Sequence, residues 1–595
     1  MNSMGYMRVA CATVKAKKAN PAENSKKIIE LINAAESKGT GLLVFPQLAL
    51  TGSDCGQLFF QKQLYTHQMS CLDDVIAATE GKNLTVAIGH YTKEMNRLYN
   101  CYSVIRDGEI CGTTQMQSLT RDQLAYFSPA NEDIMLYSDE ENTLGFHGNA
   151  DLAIISKCEN PMVGQFKYAE NQACAQSGEN NNVTIYISTS GLAVIAENGK
   201  VISKKSPFQM DELTFADVDL DLIHHERALN AAAQDDLYAD EYYIDSLHMW
   251  NGEDFYRPIT AYPFEPATEE ELYENCYEIF EIQANALAER LAHTHSKVSV
   301  VGISGGLDST LALLVTAYAH KKLGKPAEDI IAITMPGFGT TGRTYENALD
   351  MMRSTGATIR EISIVDAVTQ HFKDIEHDMA DHSVTYENSQ ARERTQILMD
   401  IANKHGGIVV GTGDLSEEAL GWCTFNGDHI SMFGVNAGIP KTVIKYIVRW
   451  FIDFKLKEDL DFSKDNELLA KTLEDILDTP ISPELLPPDE DGNIAQKTED
   501  NVGPYELHDF FIYHTVRYGV TPEKLVFLAE KAFQGKYSEE FITKWLQVFY
   551  RRFFAQQFKR TCSPDSPQIG TVDLSPAHWR MPSDAFAASW LKDLQ

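Results

Sequence analysis

No Cys-x-x-Cys pair occurs in this chain, and its ten cysteines, at 11, 55, 71, 101, 111, 158, 174, 276, 423 and 562, are scattered. That spacing argues against a structural zinc site or a redox dithiol and suits reduced, partly buried thiols. Long apolar runs are missing too. No window approaches the ~18 consecutive apolar residues that a membrane span needs. In MNSMGYMRVACATVKAKK the lysines follow the apolar stretch, the reverse of a secretory leader, so a cytoplasmic protein is expected. Cations are scarce: 51 Lys and Arg stand against 85 Asp and Glu, a net charge of −34. Such an acidic chain is a poor fit to phosphate backbones, so neither nucleic acid nor membrane is expected as a partner. The acidity itself serves solubility. An anionic nucleotide substrate would need a local pocket of backbone N–H groups, metal and a few cations.

What is present is ordinary for a globular protein: 44% hydrophobic and 23% charged residues over 595 positions. That length calls for two or more domains. Met7–Lys15 reads as a strand, and Asn24–Ser37 as an amphipathic helix capped by Asn24 or Ser25. Residues 41–46, 85–91, 99–105, 151–156 and 183–188 read as further strands. Asp107-Gly108 and Asn198-Gly199 read as hairpin turns. Residues 219–270 are rich in Asp, Glu and Tyr with weak periodicity, which suggests a connector at 221–265 between domains at 1–220 and 266–595. A long helical pattern from Glu271 leads into the apolar strand Lys297–Ile303. Helix and strand then alternate to about residue 460, the pattern of a doubly wound parallel sheet. Residues 487–503 are polar and rich in breakers, as in a loop.

The strongest local signal is Ser304-Gly305-Gly306-Leu307-Asp308-Ser309-Thr310, set between the strand VSVVGI and the helical run LALLVTAYAH. A strand–glycine loop–helix unit offers free N–H groups and a positive helix end to an anion. Glycine lets backbone approach phosphate oxygens, and the hydroxyls of Ser304 and Ser309 add donors. Asp308 would repel a bare phosphate, so it implies Mg²⁺ or a role in orienting the loop. The Lys of a Walker loop is absent, which argues against a P-loop kinase or GTPase. The string resembles the pyrophosphate loop of the ATP pyrophosphatase superfamily, whose members cleave ATP to AMP and pyrophosphate.

Downstream blocks narrow the resemblance. They are Glu387–Arg394, Gly411-Thr412-Gly413-Asp414-Leu415-Ser416-Glu417, Ala419–Phe425, Gly427-Asp428, Val435–Thr442, Gln557–Arg560 and Trp579–Asp584. In order and spacing they resemble the synthetase domain of the glutamine-dependent NAD synthetase family over roughly residues 265–595. The strands of the N-terminal half look like that family's nitrilase-type amidase domain. The fold implied is an α/β chain, with an N-terminal α-β-β-α sandwich and a C-terminal doubly wound domain. The activity implied is amidation of deamido-NAD with ATP and Mg²⁺. By this resemblance Gly302 and Ser304–Ser309 (Ser304, Gly305, Gly306, Leu307, Asp308 and Ser309) cradle the phosphates, Met335 faces adenine and Thr412 touches ATP. Asn388, Glu417, Trp422, Cys423, Thr424, Phe425 and Lys559 are the positions for deamido-NAD. Trp422 and Phe425 suit stacking on nicotinate or adenine. Lys559 and Arg560 suit a pyrophosphate. Asp308 and Lys559 are the catalytic candidates, and Asp308 and Glu417 the metal candidates, with the pairing of carboxylate and ion left open. Glu418 reads as a helix-surface charge. Arg392 and Arg394 sit two apart, so at most one is expected to reach the site. The resemblance also implies a homo-oligomer.

The amidase chemistry of that family needs a cysteine nucleophile, a glutamate base and a lysine. Here Gln47 follows Phe45-Pro46 where the base belongs, and an amide cannot accept a thiol proton. After the hairpin NCYSVIRDGEICG come Thr113 to Ser118, with Met116 at the lysine position and no cation before Arg121. For the nucleophile two placements compete. Cys158-Glu159-Asn160 imitates the family's Cys-Glu-Asp, but its stretch aligns better with a later strand, which places the nucleophile position at Ser138. The expectation is a pseudo-amidase beside a synthetase fed by free ammonia or by a separate glutaminase. A conventional glutamine-dependent enzyme with a relocated nucleophile is the alternative.

Overall fold

The computed structural model describes residues 4–594, apart from 131–134, 140–141, 147–148, 160–161, 206–209, 230–239, 244–246, 341 and 480–497. Two units, Met1–Pro258 and Ile259–Gln595, each carry their own sheets and core.

The first unit builds β1 (Tyr6–Thr13), β2 (Leu42–Val44), β3 (Thr85–Glu94), β4 (Arg97–Arg106), β5 (Glu109–Gln115), β6 (Met135–Ser138) and β7 (Thr143–Gly145). It continues with β8 (Leu152–Lys157), β9 (Val183–Ser188), β10 (Ala193–Glu197), β11 (Lys200–Lys205), β12 (Glu212–Asp219) and β13 (Asp240–Tyr243). They form two sheets, ordered β12-β1-β2-β3-β4-β5 and β11-β10-β9-β8-β7-β6-β13. Because strand side chains alternate between faces, each sheet buries one face under helices and turns the other inward. Helices α1 (Pro21–Glu36) and α2 (Lys62–Ala77) set Ile28, Leu31, Leu72 and Val75 against Ala10, Leu43 and Val86 of the first sheet. Helix α3 (Gln165–Glu179) sets Ala169 and Ala173 against Tyr186 and Val194 of the second. This is the expected α-β-β-α sandwich. Asp107 and Gly108, and Asn198 and Gly199, all have positive φ, as their hairpin turns require.

Two local expectations are corrected. Helix α1 starts at Pro21 and its cap is Asn20, whose side chain accepts from the Glu23 N–H at 3.4 Å. Proline suits the first helical position because its missing N–H would be unpaired there anyway. Asn24, one of the expected caps, instead donates at 2.8 Å to the carbonyls of Lys17 and Leu50. The segment read as a connector supplies β13, which pairs in parallel with β6. It also sets Trp250 edge-on to Tyr6 at 6.1 Å and pairs Arg257 with Glu197 at 2.6 Å. These contributions come one residue at a time and leave no periodic face to read. Within the polar stretch 487–503, residues 487–497 lie outside the described residues and Thr498–Val502 forms a short helix.

The second unit holds one parallel sheet of β14 (Ser299–Gly302), β15 (Ile330–Thr334), β16 (Thr358–Glu361), β17 (Ile408–Gly411) and β18 (Phe433–Gly434). Its order is β16-β15-β14-β17-β18. Neighbouring residues of one strand enter different cores: Val301, Ala332 and Val410 one, Val300, Ile331 and Val409 the other. Both faces are therefore covered, the mark of a doubly wound sheet. Helices used below are α4 (Glu269–His293), α5 (Leu307–Lys322), α6 (Val384–His405), α7 (Leu415–Leu420), α8 (Lys441–Trp450) and α9 (Tyr505–Ile512). Strand order reverses between β14 and β17, so the ligand crevice of such a sheet opens at their carboxyl ends.

Candidate active site

At that crevice β14 ends on Gly302 and α5 begins at Leu307. Between them Gly305 has φ of +87°, and a Cβ there would sit 2.1 Å from the Thr344 carbonyl oxygen. Only glycine fits. A Cβ on Gly302 would meet Leu398 Cδ1 at 3.1 Å, with Met335 Cε at 3.5 Å. Ser309 Oγ ties the loop together: it accepts from the Ser304 N–H at 3.3 Å, lies 3.1 Å from Ser304 Oγ and donates to the Gly306 carbonyl at 3.1 Å. The cap of α5 is Gly306, which has no side-chain acceptor for the N–H groups of the first turn. Those groups are suited to an anion. Met335 follows β15 and Thr412 follows β17, so three adjacent strands deliver the expected ATP residues to one edge.

Beside the loop the structure brings together three carboxylates and a lysine. Oxygens of Asp308, Asp414 and Glu417 lie within 4.8 Å of one another. Lys441 Nζ donates to Asp308 Oδ2, Asp414 Oδ2 and Glu417 Oε1, each at 2.8 Å. Burial alone would push the Lys441 ammonium down, but Asp308, Asp414 and Glu417 raise it well above the ordinary lysine value. Burial raises the Asp414 and Glu417 carboxyls, and Lys441 opposes this. Asp308 Oδ1 is buried and has no hydrogen-bond partner among the described residues. An all-oxygen donor set with an unspent buried oxygen fits a hard divalent cation such as Mg²⁺. Asp414 also caps α7, accepting from the Glu417 N–H at 2.9 Å. Asn436 donates to the carbonyls of Asp308 and Thr412, at 2.9 and 3.2 Å, which locks the loop to the β17 edge.

Asp414 and Lys441 carry no assigned role in the sequence reading. One signal was available: Lys441 opens a helix directly after Pro440. A cation there opposes the helix dipole, an arrangement that nearby carboxylates relieve.

Of the positions expected to hold deamido-NAD, Glu417, Cys423 and Lys559 line a cavity, and Asn388, Trp422, Thr424 and Phe425 are not among its lining residues. Thr412, Gly413 and Glu418 line the same cavity. Lys559 Nζ donates to the carbonyls of Gly421 and Cys423, at 2.8 and 2.7 Å, and burial lowers its ammonium. Thr424 Oγ1 donates to Asn388 Oδ1 at 2.7 Å, joining α6 to this loop. The Phe425 ring stacks on His429 at 5.0 Å, and the Arg552 guanidinium lies 5.2 Å from the Trp422 ring. Three readings change. Arg560 is buried and donates to the carbonyls of Glu418, Ala419 and Phe553, so it closes the end of α7 and has no free fork for a pyrophosphate. Glu418 lines the cavity, and burial pushes its carboxyl up to about 8. Both arginines of α6 reach expected site residues, Arg392 donating to the Phe425 carbonyl and Arg394 to that of Met335. Positions two apart on a helix diverge, but these site residues flank α6 on two sides.

In the first unit Gln47 is 2% exposed and both ends of its amide are hydrogen-bonded. Its Nε2 donates to the Ser156 carbonyl at 2.8 Å, and its Oε1 accepts from Asn100 Nδ2 and Gln123 Nε2, each at 2.7 Å. The Asn100 carbonyl accepts from the Met116 N–H at 2.9 Å, so Asn100 connects two of the three positions that the sequence reading compares with the amidase residues. Tyr137, beside Ser138, bonds through its hydroxyl to Thr114 Oγ1 at 2.8 Å. Cys158 follows β8 directly, two residues after Ser156, and burial raises its thiol.

Residues 279–452 match the NAD synthase family and residues 8–126 the carbon-nitrogen hydrolase family. The glutamine-dependent NAD(+) synthetase of Mycobacterium leprae is 31% identical over 100% of this chain and 98% of its own. That of Thermotoga maritima is 26% identical over 90% of this chain and 92% of its own. A glutamine-dependent NAD(+) synthetase structure from Cytophaga hutchinsonii has 18% identity and a TM-score of 0.45, over 99% of this chain and 100% of that one. Full-length similarity to the Mycobacterium leprae protein and both family matches fix the assignment: the chain is a carbon-nitrogen ligase and belongs to the glutamine-dependent NAD(+) synthetase family.

Proposed function

We propose that this chain amidates the nicotinate carboxylate of deamido-NAD with ammonia that it does not itself release from glutamine. A carboxylate is a poor electrophile, so its oxygen first attacks the α-phosphate of ATP and expels pyrophosphate. Ammonia then attacks the acyl-adenylate carbon, and AMP leaves. The N–H groups of the 304–309 loop and the start of α5 hold the departing pyrophosphate. Lys441, already among the carboxylates at the loop, supplies a buried cation for the charge that develops on the phosphate. Asp308, Asp414 and Glu417 would hold Mg²⁺, which when bound neutralises the triphosphate and its leaving group. Met335 borders the adenine side, and Thr412 contacts ATP. Asn388, Trp422–Phe425 and Lys559 take deamido-NAD.

The nitrogen source rests on one observation, a buried amide at Gln47 whose oxygen accepts two hydrogen bonds and whose nitrogen donates to the Ser156 carbonyl. It has no basic lone pair for a thiol proton, and its carbonyl oxygen already accepts two hydrogen bonds. Met116 at the lysine position supports the same reading. The alternative, hydrolysis of glutamine by Cys158, draws support from the hydrogen bond between Gln47 and Ser156, two residues upstream, and from the glutamine-dependent relatives. The raised Cys158 thiol opposes it. Purified protein given glutamine should release no glutamate above the enzyme-free rate; release that saturates with glutamine overturns the proposal. Since ammonia is mostly ammonium at neutral pH, the ligase rate at fixed total ammonium should rise with pH.

A further inference from the structure

A helix that begins after a proline must find acceptors for its first N–H groups elsewhere in the fold. Helix α8 is such a helix: its cap, Pro440, provides no side-chain hydrogen bond. Its first two N–H groups are met from outside. Lys441 N–H donates to Ser416 Oγ at 2.8 Å, and Thr442 N–H donates to Asp509 Oδ2 at 3.1 Å. Ser416 Oγ in turn donates to Asp509 Oδ1. All three residues are buried: Ser416 0%, Asp509 2% and Lys441 4% exposed. Asp509 stands on α9, four residues after Tyr505, so both lie on one helix face. The Tyr505 ring lies 5.7 Å from Lys441 Nζ. Helix α9 thus meets the start of α8 at the Thr442 N–H, through Asp509, and at the Lys441 ammonium, through Tyr505.

We infer that Asp509 is a positioning residue for the ligase reaction: through Ser416 and the Thr442 N–H it fixes the start of α8, and so fixes the Lys441 ammonium against the phosphates of ATP. The inference rests on the ATP role given to Lys441 above. Asp509 lies outside residues 279–452, the part of the chain that matches the NAD synthase family. The geometry is demanding, because Lys441 Nζ holds three partners at 2.8 Å and each tolerates little displacement. A shift of about 1 Å at a positioned group costs on the order of a hundredfold in rate. Without Asp509, Ser416 loses its acceptor and the part-buried Thr442 N–H loses its partner.

The test measures ATP affinity by calorimetry with Mg²⁺, and NAD formation from ammonium chloride, on the full-length protein. Asp509→Leu removes both acceptor oxygens and is expected to weaken ATP binding about tenfold or more, with the KM for deamido-NAD unchanged. Asp509→Asn keeps one oxygen for the Thr442 N–H and should recover most of the loss. In a Lys441→Met background Asp509→Leu should add no further loss of ATP affinity, because both act through one ammonium. Folded Asp509→Leu with wild-type ATP affinity overturns the inference, as do losses from Asp509→Leu and Lys441→Met that multiply. If Asp509→Leu does not fold, Ser416→Ala is read the same way, and unchanged ATP affinity there also overturns it. Wild-type protein that binds ATP but forms no NAD sinks the synthetase reading alone, since the Asp509 comparison is still read from affinity.

Discussion

Lys441 Nζ and Asp308 Oδ2 lie 2.8 Å apart although 133 residues separate them along the chain. The pair closes the phosphate loop against the start of α8. Removing the cation should therefore disable the site. Lys441→Met is expected to lower the rate of NAD formation by about 10²–10³-fold, the usual effect of deleting one preorganised stabilising donor. Steady-state kinetics with saturating ATP and ammonium checks this. A loss below threefold would place Lys441 outside the reaction.

Gly305 offers a sharper steric test. A Cβ would come within 2.1 Å of the Thr344 carbonyl oxygen, and the φ of +87° adds backbone strain. Gly305→Ala should cost about 1–3 kcal/mol in stability from the backbone conformation alone. It should also abolish ATP binding by displacing the loop. Thermal melting and calorimetry report the two effects separately.

Much of the fold was readable because it rests on local rules. The Val183–Ser188 strand, the two hairpin turns and the strand–loop–helix at Gly302–Leu307 follow from periodicity and from glycine and asparagine chemistry. The site was readable as far as single motifs reach. Asp308 and Glu417 were named in advance, and the structure sets them together with Asp414. Their shared partner Lys441 escaped because its three bonds join segments 24 to 133 residues apart. Arg560 was misread for a similar reason: a lysine-arginine pair looks like an anion site until tertiary packing hands one member to helix carbonyls. The α1 cap slipped because Asn20, Asn24 and Ser25 all have capping side chains, and the choice was made by Asn24's bonds to Lys17 and Leu50.

Placing a glutamate at position 47 of the first unit should not produce a glutaminase. Gln47→Glu replaces the donor facing the Ser156 carbonyl with a second acceptor in a buried position. The expected result is a loss of roughly 1–3 kcal/mol in stability. Glutamate release should stay at background, because the proposed function places Met116, which carries no charge, at the lysine position. Denaturant melts and a glutaminase assay decide it.

Cys158 gives a pH test of the same domain. A thiol whose pKa is raised carries less thiolate at any pH, and here burial raises it despite hydrogen bonds from Thr189 and Ser53. Alkylation of Cys158 by iodoacetamide should be slower than that of a model thiol at pH 7. Its rate should climb only at pH values above the ordinary cysteine pKa of about 8.5. Mass spectrometry of the modified peptide follows it. Rapid labelling at pH 7 would mean an activated nucleophile.

The most direct test follows NAD formation by the purified chain with ATP, Mg²⁺ and deamido-NAD, supplied with ammonium chloride or with glutamine alone. The account predicts NAD with ammonium and none with glutamine. Equal NAD from glutamine would contradict it and place a working amidase in the first unit.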